Sequence, residues 1–303
     1  MDKWCILMIK TIFKEESMNP KKVFVIVPFL AFLILFLSSL PLATEASSAS
    51  GDILSELFGQ EESEEFSKVL PLKSGGTFSL RNVNGSITIT TWKEEKVDIK
   101  ALKTTKGDPD NLKEVEIEVE ATANSVSVDT IFPKWRNVRV SVQYEVKVPQ
   151  GVNLGRVRST NGSVHITGPV GNTKASTTNG RVDLDGAKGT ISLSSTNGKI
   201  EAANIKGEID AETTNGTIVL ELISFEDRIE ARTTNGGIIL RVGSLEKVNA
   251  DLNARTTNGS ISLDIPVTLK SMKKSRRSLE AQIGQGGPEI SLRTTNGSIR
   301  ITK

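Results

Sequence analysis

The 303-residue chain contains one cysteine, one histidine and one tyrosine, and aromatic residues make up 5% of it. Cys5 precedes a long apolar run. Once a leader through that run is removed, no disulfide, thiol nucleophile or lipid-attachment cysteine is left. His165 has neither a cysteine nor a second histidine to complete a metal site, so none is expected. No nucleophile elbow, Walker-type phosphate loop or Gly-Gly-x-Gly-x-Asp calcium repeat occurs. No cofactor is expected. Charge is nearly balanced, 38 basic against 36 acidic residues, which argues against a nucleic-acid or anionic-membrane partner for the body of the chain. Scarce rings also favour a narrow interior filled by Ile, Val, Leu and Ala.

The chain is instead rich in one tetrapeptide. Asn-Gly, preceded by Thr or once by Val, occurs at Asn84, Asn161, Asn179, Asn197, Asn215, Asn235, Asn258 and Asn296. From Asn161 onward the intervals are 18, 18, 18, 20, 23 and 38 residues, the last matching two coils with one degenerate. A period near 18 holds two short strands and two turns, one coil of a β-solenoid and too little for a propeller blade. Three and five residues after each Asn the side chain is apolar, as in Ile218 and Leu220, and the same parity continues before it, as in Ile209 and Ala211. Period-2 alternation on both sides of the corner marks two strands sharing one interior.

This predicts an all-β fold: a single-stranded parallel β-solenoid, a right-handed β-helix, of about 18-residue coils. A longer-stranded β section, from Val97 to Val148, caps or opens it near the N-terminal part. Stacked coils should bring Ile218, Ile238 and Ile261 together inside. At each corner the first Thr or Ser (Thr213, for example) points inward and the second outward. Stacked Asn side chains should form an amide ladder. The glycine, Gly216 for example, should supply a left-handed turn. Sequons such as Asn215-Gly216-Thr217 then arise from turn chemistry and are weak evidence for a glycan.

Lys21 and Lys22 precede an apolar run from Val23 to Leu42, followed by small residues. Residues 1–46 read as a secretory signal peptide, with Met18 an alternative start, or as a membrane anchor if uncleaved. Residues 47–65 read as an acidic flexible linker, and residues 66–303 as the solenoid domain. Localisation is expected to be extracytoplasmic: periplasmic, cell-surface or secreted.

The opening "FSKVLPLKSGGTFSLRNVNGSITITTW", the serial TTNG coils and the closing "RSLEAQIGQGGPEISLRTTNGSIRI" resemble the bacterial "putative adhesin" domain family. The resemblance spans about Phe66 to Lys303. It implies a β-solenoid and a surface-binding role, with no ligand or site residue attached.

Two outward columns bear on function. Asp183 and Glu201 occupy equivalent positions on adjacent coils, with side chains about 5–7 Å apart, a separation compatible with a glycosidase pair. The same column continues as Val219 and Ile239, and no aromatic sugar platform accompanies it. A solvated face, not a catalytic site, is therefore expected. Three residues before the Asn stand Arg158, Ser176, Ser194, Glu212, Arg232, Arg255 and Arg293. Arg232, Arg255 and Arg293 form a basic stripe suited to phosphate or carboxylate, against the plain alternative of a solubilising surface. The reading is a non-enzymatic exported solenoid whose partner is an anionic envelope polymer or a surface protein. The alternatives are a carbohydrate-active enzyme on the same fold and a structural or signalling envelope module.

Overall fold

The computed structural model describes residues 61–303, apart from 137, 224–226, 244–248 and 266–268. The expected leader or anchor, and the linker up to residue 60, lie outside the described residues. Except for one 3₁₀ turn at Pro109–Leu112, every regular element described is a strand. The first group is β1 (Glu62–Pro71), β2 (Thr77–Arg81), β3 (Ile87–Trp92), β4 (Lys96–Thr105), β5 (Glu116–Ala121), β6 (Ser125–Ile131) and β7 (Val140–Pro149). Five coils follow as strand pairs: β8 (Asn153–Asn161) with β9 (Val164–Val170), β10 (Thr173–Asn179) with β11 (Val182–Lys188), and β12 (Ile191–Asn197) with β13 (Ile200–Lys206). Next come β14 (Ile209–Asn215) with β15 (Ile218–Leu222), and β16 (Ile229–Asn235) with β17 (Ile238–Val242). The last group is β18 (Ala250–Asn258), β19 (Ile261–Asp264), β20 (Leu269–Lys274), β21 (Ser278–Ile283), β22 (Glu289–Asn296) and β23 (Ile299–Thr302). β1 begins at Glu62, so Glu62–Glu65, read from sequence as linker, are strand. Their acidity reflects an exposed edge and not flexibility.

Each coil gives one strand to each of two sheets. Sheet A runs β1-β4-β7-β3-β9-β11-β13-β15-β17-β23-β19, and sheet B runs β20-β21-β18-β22-β16-β14-β12-β10-β8-β2-β6-β5. Coil strands pair in parallel, with Ile200 opposite Ile218 and Ile218 opposite Ile238. The parallel solenoid expected from the period is therefore the observed fold. Its interior is the alternating set: Ile218, Leu220, Ile238, Leu240, Ile209 and Ala211 are at most 1% exposed.

The order of the coils departs from the order of the chain at both ends. The final pair, β22 and β23, lies between the β16/β17 coil and the β18/β19 coil. Ile261 thus pairs with Ile299, and Ile299 with Ile238, so the expected direct contact of Ile238 with Ile261 is corrected to one through Ile299. The 38-residue interval is not a degenerate coil. It holds the antiparallel hairpin β20–β21, which pairs onto β18, and a return into the stack. At the other end β2 and β3 lie between the β6/β7 level and the β8/β9 coil. The first coil, β2 with β3, and the last, β22 with β23, are thus each bonded on two sides, where a terminal coil would have been bonded on one.

The tetrapeptide has three separate jobs. The inward Thr213 hydroxyl donates to the Gly198 carbonyl of the preceding coil at 3.0 Å, and Thr233 does the same to Gly216 at 2.9 Å. The Asn side chains form an uninterrupted amide ladder through Asn84, Asn161, Asn179, Asn197, Asn215, Asn235, Asn296 and Asn258, each Nδ2 donating at 2.8 Å to the Oδ1 of the Asn before it in that order. Its order follows the stack, with Asn296 ahead of Asn258. The role expected for glycine needs correction. Asn204 is the one non-glycine residue described with positive φ, and Gly216 is not among the glycines with positive φ. A Cβ on Gly216 would instead lie 2.0 Å from the Gly198 carbonyl oxygen, and one on Gly236 would lie 1.9 Å from that of Gly216. Close approach of stacked corners is what requires glycine there.

At the N-terminal end a few polar contacts fix the cap. Lys103, 6% exposed, bonds Glu64 at 3.0 Å and the Leu112 carbonyl at 3.2 Å through its ammonium, tying β1 and the 3₁₀ turn to β4. Tyr144 of β7 and Thr130 of β6 join hydroxyls across the core at 2.7 Å. Burial pushes the Tyr144 phenol up to about 12.

Candidate functional site: an arginine groove on sheet B

Arg232, Arg255 and Arg293 face outward because their parity in β16, β18 and β22 is opposite to that of the buried Ala231, Ala254 and Leu292. In sequence order Arg255 would follow Arg232. The inserted last coil instead makes the spatial order Arg232, Arg293, Arg255, on three consecutive rungs. Rungs stand about 4.8 Å apart, so three guanidinium stems share a strip about 10 Å long. The outward threonines of the same corners, Thr234, Thr295 and Thr257, run alongside. Together with Arg277 from the β20–β21 turn they line an open groove of about 640 Å³. Glu212 closes its N-terminal side.

The charges are unevenly satisfied. Arg232 is ion-paired to Glu230, a carboxylate whose side chain is 8% exposed and which Arg228 also contacts. Arg255 bonds Glu280 of β21 at 2.8 Å. Arg293, between them, has no carboxylate partner among the described residues, and neither does Arg277. Two residues before Arg293 on the same outward face, the buried Ser291 hydroxyl has no hydrogen-bond partner. An unpaired guanidinium flanked by two more favours an anion, and phosphate or carboxylate meets the planar fork with two parallel hydrogen bonds. The sequence places Arg277 in a basic insertion near this stripe, and the β20–β21 hairpin brings it into the groove itself.

The second outward column lies on sheet A. Asp183 stands between His165 and Glu201 on adjacent strands. Its carboxylate lies 2.8 Å from His165 Nδ1, and Arg181 lies 3.6 Å from both Asp183 and Glu201. The Lys199 ammonium hydrogen-bonds Glu201 and, with Arg181, holds its carboxyl below the usual carboxylate value. A general acid of a glycosidase needs the opposite shift. The pair therefore reads as a surface ion network. Among the described residues no cluster of three or more metal-ligating side chains occurs.

Two parallel sheets closed by stacked, glycine-tight corners and bearing polar ladders outside define a repetitive β-solenoid domain. The Toastrack DUF4097 family model matches residues 70–302, and the chain belongs to that family. Solved structures with a similar chain trace include a "putative adhesin" from Bacteroides fragilis NCTC 9343. It is 15% identical over 78% of this chain and 97% of that one, with a TM-score of 0.38. A "putative lipid binding protein" from Parabacteroides distasonis ATCC 8503 is 12% identical over 81% and 98%, with a TM-score of 0.40. A "putative cell adhesion protein" from Clostridium sporogenes ATCC 15579 is 12% identical over 80% and 99%, with a TM-score of 0.32. No curated protein matches the sequence.

Proposed function

We propose that this protein is an exported, non-enzymatic β-solenoid that binds an anionic polymer of the cell envelope in the arginine groove. The observation that carries the reading is Arg293: a guanidinium with no carboxylate partner among the described residues, set between Arg232 and Arg255 on neighbouring rungs. A groove open along the stack accepts a chain better than a compact molecule, and evenly spaced rungs match a ligand that repeats its charge. Export rests on the basic, apolar and small-residue succession before residue 50. A surface protein presenting a row of carboxylates would meet the same chemistry.

The test is binding of the full chain, in non-ionic detergent, to long-chain polyphosphate and to polygalacturonate. The two probes separate phosphate from carboxylate recognition. Affinity should fall steeply with salt, because exposed charges are screened within about 8–10 Å at physiological ionic strength. Changing Arg232, Arg255 and Arg293 to Ser should remove binding to both probes, and Arg293→Ser alone, which breaks no ion pair among the described residues, should weaken binding with little effect on unfolding, since exposed charges contribute little to stability. Undiminished binding by the triple variant would remove the site. Polygalacturonate cleavage that is lost in Asp183→Asn would replace the reading with a carbohydrate-active enzyme.

A further inference from the structure

The two ends of sheet B carry opposite charge. At its N-terminal end the last strand is β5, with Glu116, Glu118 and Glu120 all exposed and no basic residue. At its C-terminal end the last strand is β20, with Lys270, Lys273 and Lys274 exposed and no acidic residue. None of these six has an ion-pair partner among the described residues. Charged side chains on an edge strand ordinarily block pairing with another chain. Here the block is selective. Two acidic ends repel and two basic ends repel, but an acidic end and a basic end attract.

Strand direction and length agree with that pairing. β20 runs with the coil strands, because two antiparallel steps through β21 separate it from β18. β5 runs against them, being antiparallel to β6, which is parallel to β2. A second copy shifted along the solenoid axis, without rotation, would therefore set its β5 antiparallel to β20 of the first, and each strand is six residues long. The apolar side chains directed toward the interior on these edges are partly uncovered: Met272, which shares its face with Lys274, is 50% exposed, and Ile117 and Val119 are half-buried. The sheet ends are also stepped in opposite senses. Beyond the β2/β3 coil, sheet A adds three strands and sheet B two. Beyond the β18/β19 coil, sheet B adds two and sheet A none. Joining sheet B edge to edge leaves a gap one strand wide between β19 and the next copy's β1. Their carboxylate-bearing edges, Asp264 and Glu62 among them, then do not meet.

We propose that the partner of each end is a second copy of this chain, associating head to tail through β20 and β5. The contact joins different surfaces related by a shift along the axis, so it does not close. It builds a linear array, not a two-fold dimer.

The test is the mass distribution of the full chain in non-ionic detergent by analytical ultracentrifugation, over a concentration series at low and high salt. Multiples of one copy should appear at about 30 mM salt and weaken at least about tenfold at about 500 mM, where the screening length falls to a few ångströms. Reversing one end, by E116K/E118K/E120K or by K270E/K273E/K274E, should leave each variant as single copies. Mixing the two variants should restore association, because each then offers ends of one sign to a partner of the other. Should a triple reversal fail to fold by circular dichroism, the single changes E118K and K273E serve the same mixing test. Single copies of the wild type throughout at low salt would overturn the proposal. So would association insensitive to charge reversal, as expected of contact through the apolar run, or a defined dimer.

Discussion

Replacing Gly216 by Ala adds one carbon, and the structure sets what that carbon meets. Its Cβ would lie 2.0 Å from the Gly198 carbonyl oxygen and 2.6 Å from the Gly198 carbonyl carbon, both backbone atoms. Relief to an ordinary contact of about 3.2 Å needs a shift of more than 1 Å between two rungs. Those rungs are joined by Gly198 N–H to Asn215 O and Ile200 N–H to Thr217 O, each at 3.0 Å. A 1 Å shift carries both bonds out of range, at a net cost of about 1 kcal/mol each. Overpacking adds about 1–3 kcal/mol. The gain from a less flexible unfolded chain offsets about 0.4–1 kcal/mol. The expected destabilisation is about 2–5 kcal/mol, read by urea unfolding followed by far-ultraviolet circular dichroism. Gly107→Ala is the control: its Cβ would meet nothing closer than 3.5 Å, at a φ any residue can adopt. It should be neutral or stabilising by up to about 1 kcal/mol. If Gly216→Ala unfolds at the same urea concentration as Gly107→Ala, the close-approach account of the corner is wrong.

Further outcomes follow from the same contacts. Tyr144 is the only tyrosine, so absorbance near 295 nm titrates it alone. Its phenol lies near 10 unfolded and about 12 folded, so the stabilisation it contributes is complete below pH 10 and is lost as pH rises toward 12. Tyr144→Phe should be less stable at neutral pH by about 1 kcal/mol, through the lost Thr130 bond, yet should lose less stability across that alkaline window. Asn215→Ala removes one amide bond to Asn197 and one from Asn235, and should cost about 1–2 kcal/mol in urea. Glu201→Gln, on the exposed ion network, should change stability by no more than about 0.5 kcal/mol. A larger loss there would mean that the network holds the sheet together.

Much of the fold was legible because the interior is periodic. Ile218 and Leu220, or Ile209 and Ala211, state by parity alone which face is buried, and a repeating Asn at fixed offset states that coils stack. The inward Thr and the amide ladder followed from the same parity. The reason for Gly216 did not, because left-handed φ and close backbone approach both select glycine. Only the neighbouring corner tells them apart. The order of the end coils was hidden for a related reason. Every corner offers the same Thr-Thr-Asn-Gly surface, so local pattern does not say which coil follows which. The basic stripe was read from one column, but Arg293 stands between Arg232 and Arg255 only through the inserted coil, and Arg277 joins them only through the hairpin. β1 was taken for linker up to Glu65 because an edge strand with one half-covered face carries carboxylates where a buried strand would carry Val or Ile.

The groove exists as described only if the last coil lies between its two predecessors. Paired cysteines at positions 232 and 293 would occupy adjacent rungs, about 5 Å apart, whereas a pair at 232 and 255 would be separated by two rungs, about 10 Å. With Cys5 replaced by Ser, cross-linking by the shortest bifunctional thiol reagents should be efficient in R232C/R293C and slow in R232C/R255C. Equal or reversed rates would contradict the inserted coil and, with it, the assembly of the three arginines into one site.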